Sequence, residues 1–340
     1  MNNQSLAIGV LGAANIARQF CAAVKNTRAV QVVAVGSRTL ATAQAFAADC
    51  GIPRAVGSYE ALLADPTIKA VYIPLPNHIH AEWAIKAAAH GKHILCEKPL
   101  CMGEAEARAM FAAAKQHGVM LLEAYPYWFQ PQTRELLKLL HGGVVGTVRT
   151  MQASFGFTIL QPEGNIRMSA EKGGGALLDA GSYPLSLVRL VMGEAPLRVT
   201  ATPVWDQASG VDISMLATLE FSGGRTAQIS CAMNVGYHRR AIILGSHGTI
   251  DTEYLNHTSA AMPSQLRVRR GVANNLPFED VPAAMGSGFR FAAEAFADVV
   301  RRADQAAIDR AMHASIDIAR TLEALGQSAR HGTPVTLNNA

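Results

Sequence analysis

The stretch Leu95-Cys96-Glu97-Lys98-Pro99 closes an apolar run with two opposite charges and a proline. Charge is costly to bury unless it is paired or put to use. Glu97 and Lys98 therefore mark either a surface turn or a site. A second chemical signal is Gly12-Ala13-Ala14-Asn15-Ile16-Ala17, directly after the apolar run Leu6–Leu11. A turn leading from a strand into a helix offers free N–H groups to a pyrophosphate. Only the first glycine of Gly-x-Gly-x-x-Gly stands here, with alanine in the next two places, so an ordinary tight turn would also account for it. Gly12, Ala14, Asn15 and Ile16 are the phosphate-side candidates.

The end of the next apolar run is Gly36-Ser37-Arg38-Thr39, without an acid to take ribose hydroxyls. A hydroxyl at Ser37 followed by the Arg38 guanidinium suits a 2′-phosphate, which favours NADP, with NAD as the lesser possibility. The bland alternative is an Arg38 that snorkels at a helix start. Further on, Pro74-Leu75-Pro76-Asn77-His78-Ile79-His80 follows a β-branched run. In an open α/β sheet, residues just past the strand ends line the ligand crevice, which makes Pro74, Leu75, Asn77 and His80 cofactor candidates. Asn77 is also a natural helix cap. His78 and His80 are of a residue type that ligates metals, but surface or capping histidines are commoner, and no metal is expected.

The elements that must position these residues alternate through the first third of the chain. Strand patterns at Leu6–Leu11, Val30–Gly36, Lys69–Pro74, His93–Cys96 and Val119–Glu123 are separated by helical patterns that include Thr39–Asp49, His80–Ala89 and Glu104–His117. This pitch of alternation predicts βαβ units and a doubly wound parallel sheet. From about Tyr125 the texture changes. A helix at 133–140 precedes strands at hairpin spacing: Thr147–Phe157, Arg198–Val204, Ile213–Phe221, Thr226–Ala232, Arg240–Gly245 and Gly248–Glu253. Helical patterns at Tyr183–Met192, Phe289–Arg302 and Ile308–Ser328 complete it. The expected organisation is a Rossmann domain over 1–124 and, over 125–340, an α+β domain with a mostly antiparallel, open-faced sheet and helices on one face.

The chain has 340 residues, 49% hydrophobic and 16% charged, with a net charge of +4 spread without a basic block. That is globular, long enough for two domains, and offers no dedicated nucleic-acid surface. Five scattered cysteines without a CxxC spacing argue for a reducing compartment rather than a disulfide framework or structural zinc. No basic-apolar leader and no run of membrane-spanning length is present, so a cytoplasmic protein without membrane contact is expected.

The turn Gly12–Ala17, the stretch Tyr72–His80, Glu97-Lys98-Pro99-Leu100 and Gly173-Gly174-Gly175-Ala176-Leu177-Leu178-Asp179-Ala180-Gly181-Ser182-Tyr183 together closely resemble the Gfo/Idh/MocA oxidoreductase family. The likeness runs over essentially the whole chain, in order. It implies NAD or NADP and hydride transfer on sugars, inositols and related alcohols. Tyr at 183, where many members have His, and Glu123-Ala124-Tyr125-Pro126-Tyr127-Trp128-Phe129-Gln130-Pro131 resemble the branch with glucose–fructose oxidoreductase, NADP-linked xylose/glucose dehydrogenase and dimeric dihydrodiol dehydrogenase. The turn at Gly12 is poorer in glycine than the family pattern.

The resemblance gives the chemical residues their roles. Oxidation of a carbinol needs the hydroxyl proton removed as the hydride leaves. A phenol is too weak a base at neutral pH unless a neighbouring ammonium favours its anion. Lys98 and Tyr183 would form that pair across the cleft, with Asp179 bonding the sugar or holding the pair. Glu97 would anchor the loop or bond the nicotinamide side, and Tyr125, Trp128 and Phe129 would pack the domain junction or stack on substrate. Three functions follow: an aldose or cyclic-polyol dehydrogenase, running in reverse as a ketoreductase; a trans-dihydrodiol dehydrogenase with the same site; or a non-catalytic NADP sensor with a protein partner. Retention of Lys98, Asp179 and Tyr183 together disfavours the last. An uncovered sheet face would expose apolar surface, predicting a homodimer or homotetramer built on the second domain.

Overall fold

The computed structural model describes residues 5–337. The described chain divides into two compact units: 5–101, 105–129 and 287–315 form the first, and 102–104, 130–286 and 316–337 the second.

The first unit carries β1 (Leu6–Leu11), α1 (Asn15–Val24), β2 (Val30–Gly36), α2 (Leu40–Cys50), β3 (Ala55–Val56), α3 (Tyr59–Ala64), β4 (Ala70–Ile73), α4 (His80–Ala89), β5 (His93–Glu97), α5 (Glu104–Gln116) and β6 (Leu121–Ala124). Its six strands pair in parallel in the order β3-β2-β1-β4-β5-β6. The order reverses between β1 and β4, and that switch point is where a crevice opens past the strand ends. Parallel strands covered on both faces must be apolar throughout, and β4 is buried at every position. β3 and α3 lie in a segment with no strong periodicity; Ser58 starts α3 by accepting from Ala61 N.

The second unit carries α6 (Pro131–His141), β7 (Val148–Thr158), α7 (Ser182–Met192) and then β8 (Arg198–Trp205), β9 (Asp212–Glu220), β10 (Thr226–Ala232), β11 (Asn234–Gly245), β12 (Gly248–Thr252), β13 (Leu266–Arg270) and β14 (Glu279–Asp280). After α8 (Gly288–Arg302) and α9 (Gln305–His331), β15 (Val335–Thr336) adds an edge. The nine strands run β14-β13-β12-β11-β7-β10-β9-β8-β15, antiparallel except for β7 beside β10. β11 begins six residues earlier than the expected strand at Arg240, because a break in its pairing with β7 between Asn234 and His238 disguises the alternation.

The first unit's segment that holds the expected boundary at 124 runs to 129, and the unit takes in the helix expected at Phe289–Arg302 in the second domain. Phe289, Ala293, Phe296 and Ala297 of α8 lie in one core with Phe20 of α1 and Tyr72 of β4, where Phe20 meets Tyr72 at 4.0 Å and Phe289 at 6.0 Å between ring centroids. An amphipathic helix shows which side is apolar, not which sheet it covers. The open sheet face is also less apolar than expected. Met151, Ala153, Ala227 and Ile229 are buried, whereas Gln152, Ser154, Gln228 and Ser230 alternate with them and stay accessible. Leu216, 57% exposed, and Val204, 56% exposed, are apolar exceptions. No helix among the described residues is long and apolar enough to cross a membrane.

Candidate active site

In the first unit, the turn after β1 is built for close backbone approach. Gly12 has φ 115°, a conformation that L side chains avoid, and a Cβ there would lie 3.0 Å from the Leu75 Cδ2. Its N–H donates to the Gly36 carbonyl at 2.8 Å, tying the ends of β1 and β2. α2 is capped by Thr39 and α3 by Ser58, but the Ala14 cap position of α1 supplies no side-chain acceptor, and no acid stands in the first turn. The N–H groups at Asn15 and Ile16 thus belong to the one of these three helix starts that an anion can complete. Ser37 is buried and Arg38 exposed; the arginine acts electrostatically on the Tyr59 hydroxyl, whose pKa burial raises and Arg38 lowers. The residues present fit a dinucleotide phosphate at α1 and a 2′-phosphate beside Arg38.

The Lys98 turn is gripped on every side. The Lys98–Pro99 peptide is cis. Glu97, buried at the end of β5, accepts from the Tyr72 hydroxyl at 2.6 Å and from the Lys98 N–H at 3.3 Å, which makes it the anchor of the turn. His80 is fully buried, with Nδ1 3.0 Å from the Pro99 carbonyl and Nε2 2.7 Å from the Leu75 carbonyl. Burial lowers its pKa and outweighs the carbonyls, which favour the charged ring. Its ring nitrogens both face backbone, so His80 ties the loop after β4 to the turn after β5. The residue before α4 is Ile79, and Asn77 begins the 3₁₀ turn, Asn77–Ile79, that leads into it.

Glu123 is the residue that sequence reasoning missed on this side. It is enclosed at the end of β6, accepting from the Leu100 N–H at 2.9 Å and the Ser315 hydroxyl at 2.6 Å. Burial pushes its carboxyl up to about 7, against the pull of those two donors, Tyr125 and Lys98. Tyr125 is fully buried, with the Trp128 ring tilted against it at 4.8 Å and its indole donating to the Tyr127 hydroxyl at 2.7 Å; Trp128 and Phe129 are half-buried. A carboxyl whose folded pKa is raised from 4.5 to about 7 holds in the native state a proton that the unfolded chain releases. Its contribution is present below the unfolded value and is lost as pH rises through about 7. Urea titrations of the native protein and E123Q should therefore diverge by about 2 kcal/mol between pH 4.5 and 7, the native protein losing stability relative to the variant. Parallel pH curves would contradict this.

In the second unit, the glycine run is a packing device. A Cβ on Gly174 would strike the Arg167 carbonyl, and one on Gly175 would overlap the Asp212 Oδ1. The space lets Gly175 N donate to Arg167 O at 2.9 Å while Asp212 Oδ2 accepts from Leu177 N at 2.6 Å. A π-helical turn, Leu177–Gly181, then runs directly into α7. Asp179 and Tyr183 therefore share one helical stretch, which begins upstream of the expected Tyr183–Met192 helix. Asp179 accepts from Arg167 Nε at 2.5 Å, and Tyr183 packs edge-on against Phe155. The Tyr183 hydroxyl accepts from Asn256 Nδ2 at 2.8 Å, and the Arg239 guanidinium lies 4.0 Å over its ring. Arg167, Arg239 and Asn256 escaped sequence reasoning. For Arg239 a signal existed in the strand alternation, had β11 been read from its true start; for Asn256, in a loop, there was none.

The comparisons agree with this architecture. A family model described as GFO_IDH_MocA, "Oxidoreductase family, NAD-binding Rossmann fold", matches residues 6–125, and the GFO/IDH/MocA C-terminal domain matches 133–251. A D-xylose 1-dehydrogenase (NADP(+)) from Haloferax volcanii is 34% identical over 97% of this chain and 99% of its own. A trans-1,2-dihydrobenzene-1,2-diol dehydrogenase from Danio rerio is 36% identical over 84% and 85%. The crystal structure of a 3-ketoreductase from Actinomadura kijaniata, in complex with NADP and TDP-benzene, superposes with a TM-score of 0.85 at 30% identity, covering 96% of this chain and 98% of that one.

Proposed function

Because the chain belongs to the Gfo/Idh/MocA oxidoreductase family, we propose that it is an NADP-dependent enzyme moving a hydride to or from the carbinol carbon of a sugar or cyclic polyol. The observation that carries the proposal is the end-to-end similarity to the NADP-linked xylose dehydrogenase in a chain that retains Lys98, Asp179 and Tyr183. A bound nicotinamide nucleotide supplies the hydride acceptor or donor. Lys98 donates a hydrogen bond to the substrate oxygen. The Tyr183 oxygen takes the hydroxyl proton in oxidation and returns it in reduction. Asp179, paired with Arg167, holds the start of the helix that presents Tyr183. Trp128 and Phe129 supply aromatic surface for a sugar face.

The test is a screen of aldoses, inositols and trans-dihydrodiols with NAD⁺ and NADP⁺, followed by NAD(P)H absorbance. Turnover of an aldose or polyol with NADP⁺ is expected. Turnover of dihydrodiols alone would shift the assignment to the second reading, a dihydrodiol dehydrogenase, which the Danio rerio relative favours. Arg38→Ala should lower kcat/KM for NADP⁺ by about tenfold to a hundredfold, the worth of a charge-assisted phosphate bond, and change the NAD⁺ value by less than about twofold. Equal losses with both nucleotides would refute the assignment of Arg38. We also propose a homo-oligomer built on the second unit's sheet, with exposed Leu216 in the contact. Light scattering showing only monomer at micromolar concentration would oppose it.

A further inference from the structure

The surroundings of Tyr183 inside the second unit carry one more step. Arg239 is a buried arginine on β11, boxed by aromatic rings: its guanidinium carbon lies 4.0 Å from the Tyr183 ring centre, 4.8 Å from that of Tyr254 and 4.9 Å from that of Phe155. Its Nη2 donates to Asn256 Oδ1 at 3.1 Å. Asn256 Nδ2 in turn donates to the Tyr183 hydroxyl oxygen at 2.8 Å. The backbone beneath is pinned, since the buried Gln130 donates from Nε2 to the Asn256 carbonyl at 2.9 Å and to the Gly286 carbonyl at 2.7 Å. Tyr254 fixes the same loop by donating to the Ser154 carbonyl at 2.8 Å.

Chemistry settles which way the amide of Asn256 points. A guanidinium has donors only, so the atom of Asn256 facing it must be the carbonyl oxygen. The NH₂ group then faces Tyr183 and can only donate. The phenol oxygen is the acceptor in this bond, and the phenol hydrogen is given to a group other than Asn256. A donor aimed at the phenol oxygen stabilises negative charge there, and the flat cation stacked on the ring acts in the same sense.

We propose that Asn256, oriented by Arg239, is a positioning residue that donates to the Tyr183 oxygen and stabilises the phenolate through which Tyr183 exchanges its proton with substrate. This rests on the acid–base role assigned above to Tyr183. In oxidation the substrate O–H bond breaks, its proton passes to the Tyr183 oxygen and its hydride to the nicotinamide; reduction reverses each transfer. Asn256 remains neutral in both directions.

Asn256→Asp and Asn256→Leu test the idea, with Tyr183→Phe as reference. Asn256 is itself half-buried, and circular dichroism with NADPH fluorescence titration reports folding and cofactor binding in both variants. In N256D an oxygen replaces the NH₂ group and can only accept, so it draws the phenol hydrogen onto itself and away from substrate. We expect kcat/KM for the carbinol to fall about tenfold in N256L and about a hundredfold in N256D, with NADPH binding within about twofold. The rise of kcat/KM with pH should move to higher pH in both, further in N256D. The other charged groups facing Tyr183, Arg167 and Asp179 together with Arg239, are unchanged across the series. A merely structural residue would lower the rate without moving the pH profile. If Y183F keeps full turnover, the role of Tyr183 itself fails. If Y183F loses turnover while N256D and N256L keep the native rate and profile, the role of Asn256 is overturned.

Discussion

Lys98→Met is expected to lower kcat for carbinol oxidation by about a thousandfold, within the range by which a positioned proton-transfer group accelerates a reaction. Methionine keeps an unbranched apolar stem and removes only the ammonium. The turn should survive, because its geometry rests on other groups: Glu97 on the Lys98 N–H, His80 on the Pro99 carbonyl and Glu123 on the Leu100 N–H. NADPH fluorescence titration should therefore stay within about threefold of the native protein while turnover collapses. Tyr183→Phe should give a loss of similar size. The double variant should fall little further than either single one, since groups acting on the same proton are not additive. Turnover at the native rate in K98M with intact nucleotide binding would remove Lys98 from the chemistry. One further consequence follows from Glu123, whose raised carboxyl pKa Lys98 partly offsets. Loss of the ammonium should push that carboxyl higher still, extending to higher pH the window in which the protein loses stability.

Gly175→Ala should be the most damaging small substitution in the second unit, lowering stability by about 3 kcal/mol and Tm by roughly 10 °C. The residue has φ 105°, a left-handed conformation, and its new methyl would overlap the Asp212 Oδ1. Asp212 cannot simply move aside. Its other oxygen accepts from Leu177 N at 2.6 Å and so holds the first turn of the helical stretch carrying Asp179 and Tyr183. Burial pushes the Asp212 carboxyl up to about 6, against the pull of the Leu177, Asp212 and Ala176 N–H groups. Displacing it would leave those donors without their acceptor. Thermal melting followed by circular dichroism reads the loss, and activity should fall with it because the Tyr183 helix starts at this contact. Asp212→Asn keeps an acceptor oxygen at the same place and sheds the burdened charge, so it should melt far closer to the native protein than G175A. Equal melting temperatures for G175A and the native protein would show that the loop accommodates a side chain.

Much of this was legible before any coordinates. Strand–helix alternation through residue 124 determined the parallel sheet, because the two periods, 2 and 3.6, are written locally in the apolar pattern. Strand-end position then placed Gly12, Ser37, Arg38, Leu75, Glu97 and Lys98 at one edge of that sheet, since parallel strands deliver all their C-terminal ends to the same side. The glycine run before Asp179 and Tyr183 was visible as a motif, and the structure supplied its physical cause in Arg167 and Asp212.

What only the tertiary structure decided is which distant groups share a burial site. The choice of α8 to complete the first unit's core depends on aromatic packing between residues far apart in the chain, to which no local period responds. His80, a cofactor candidate by its place after β4, is a buried strut between two loops; Glu123 looked like a strand residue and is an enclosed carboxyl beside the Lys98 turn. Arg239 and Asn256 reach Tyr183 from β11 and a loop beyond it, by hydrogen bonds and stacking that leave no mark on sequence spacing. The sequence by itself determined the fold class and the chemical groups proposed to act on a carbinol. The environment of each group is a property of long-range packing, and packing alone decided it.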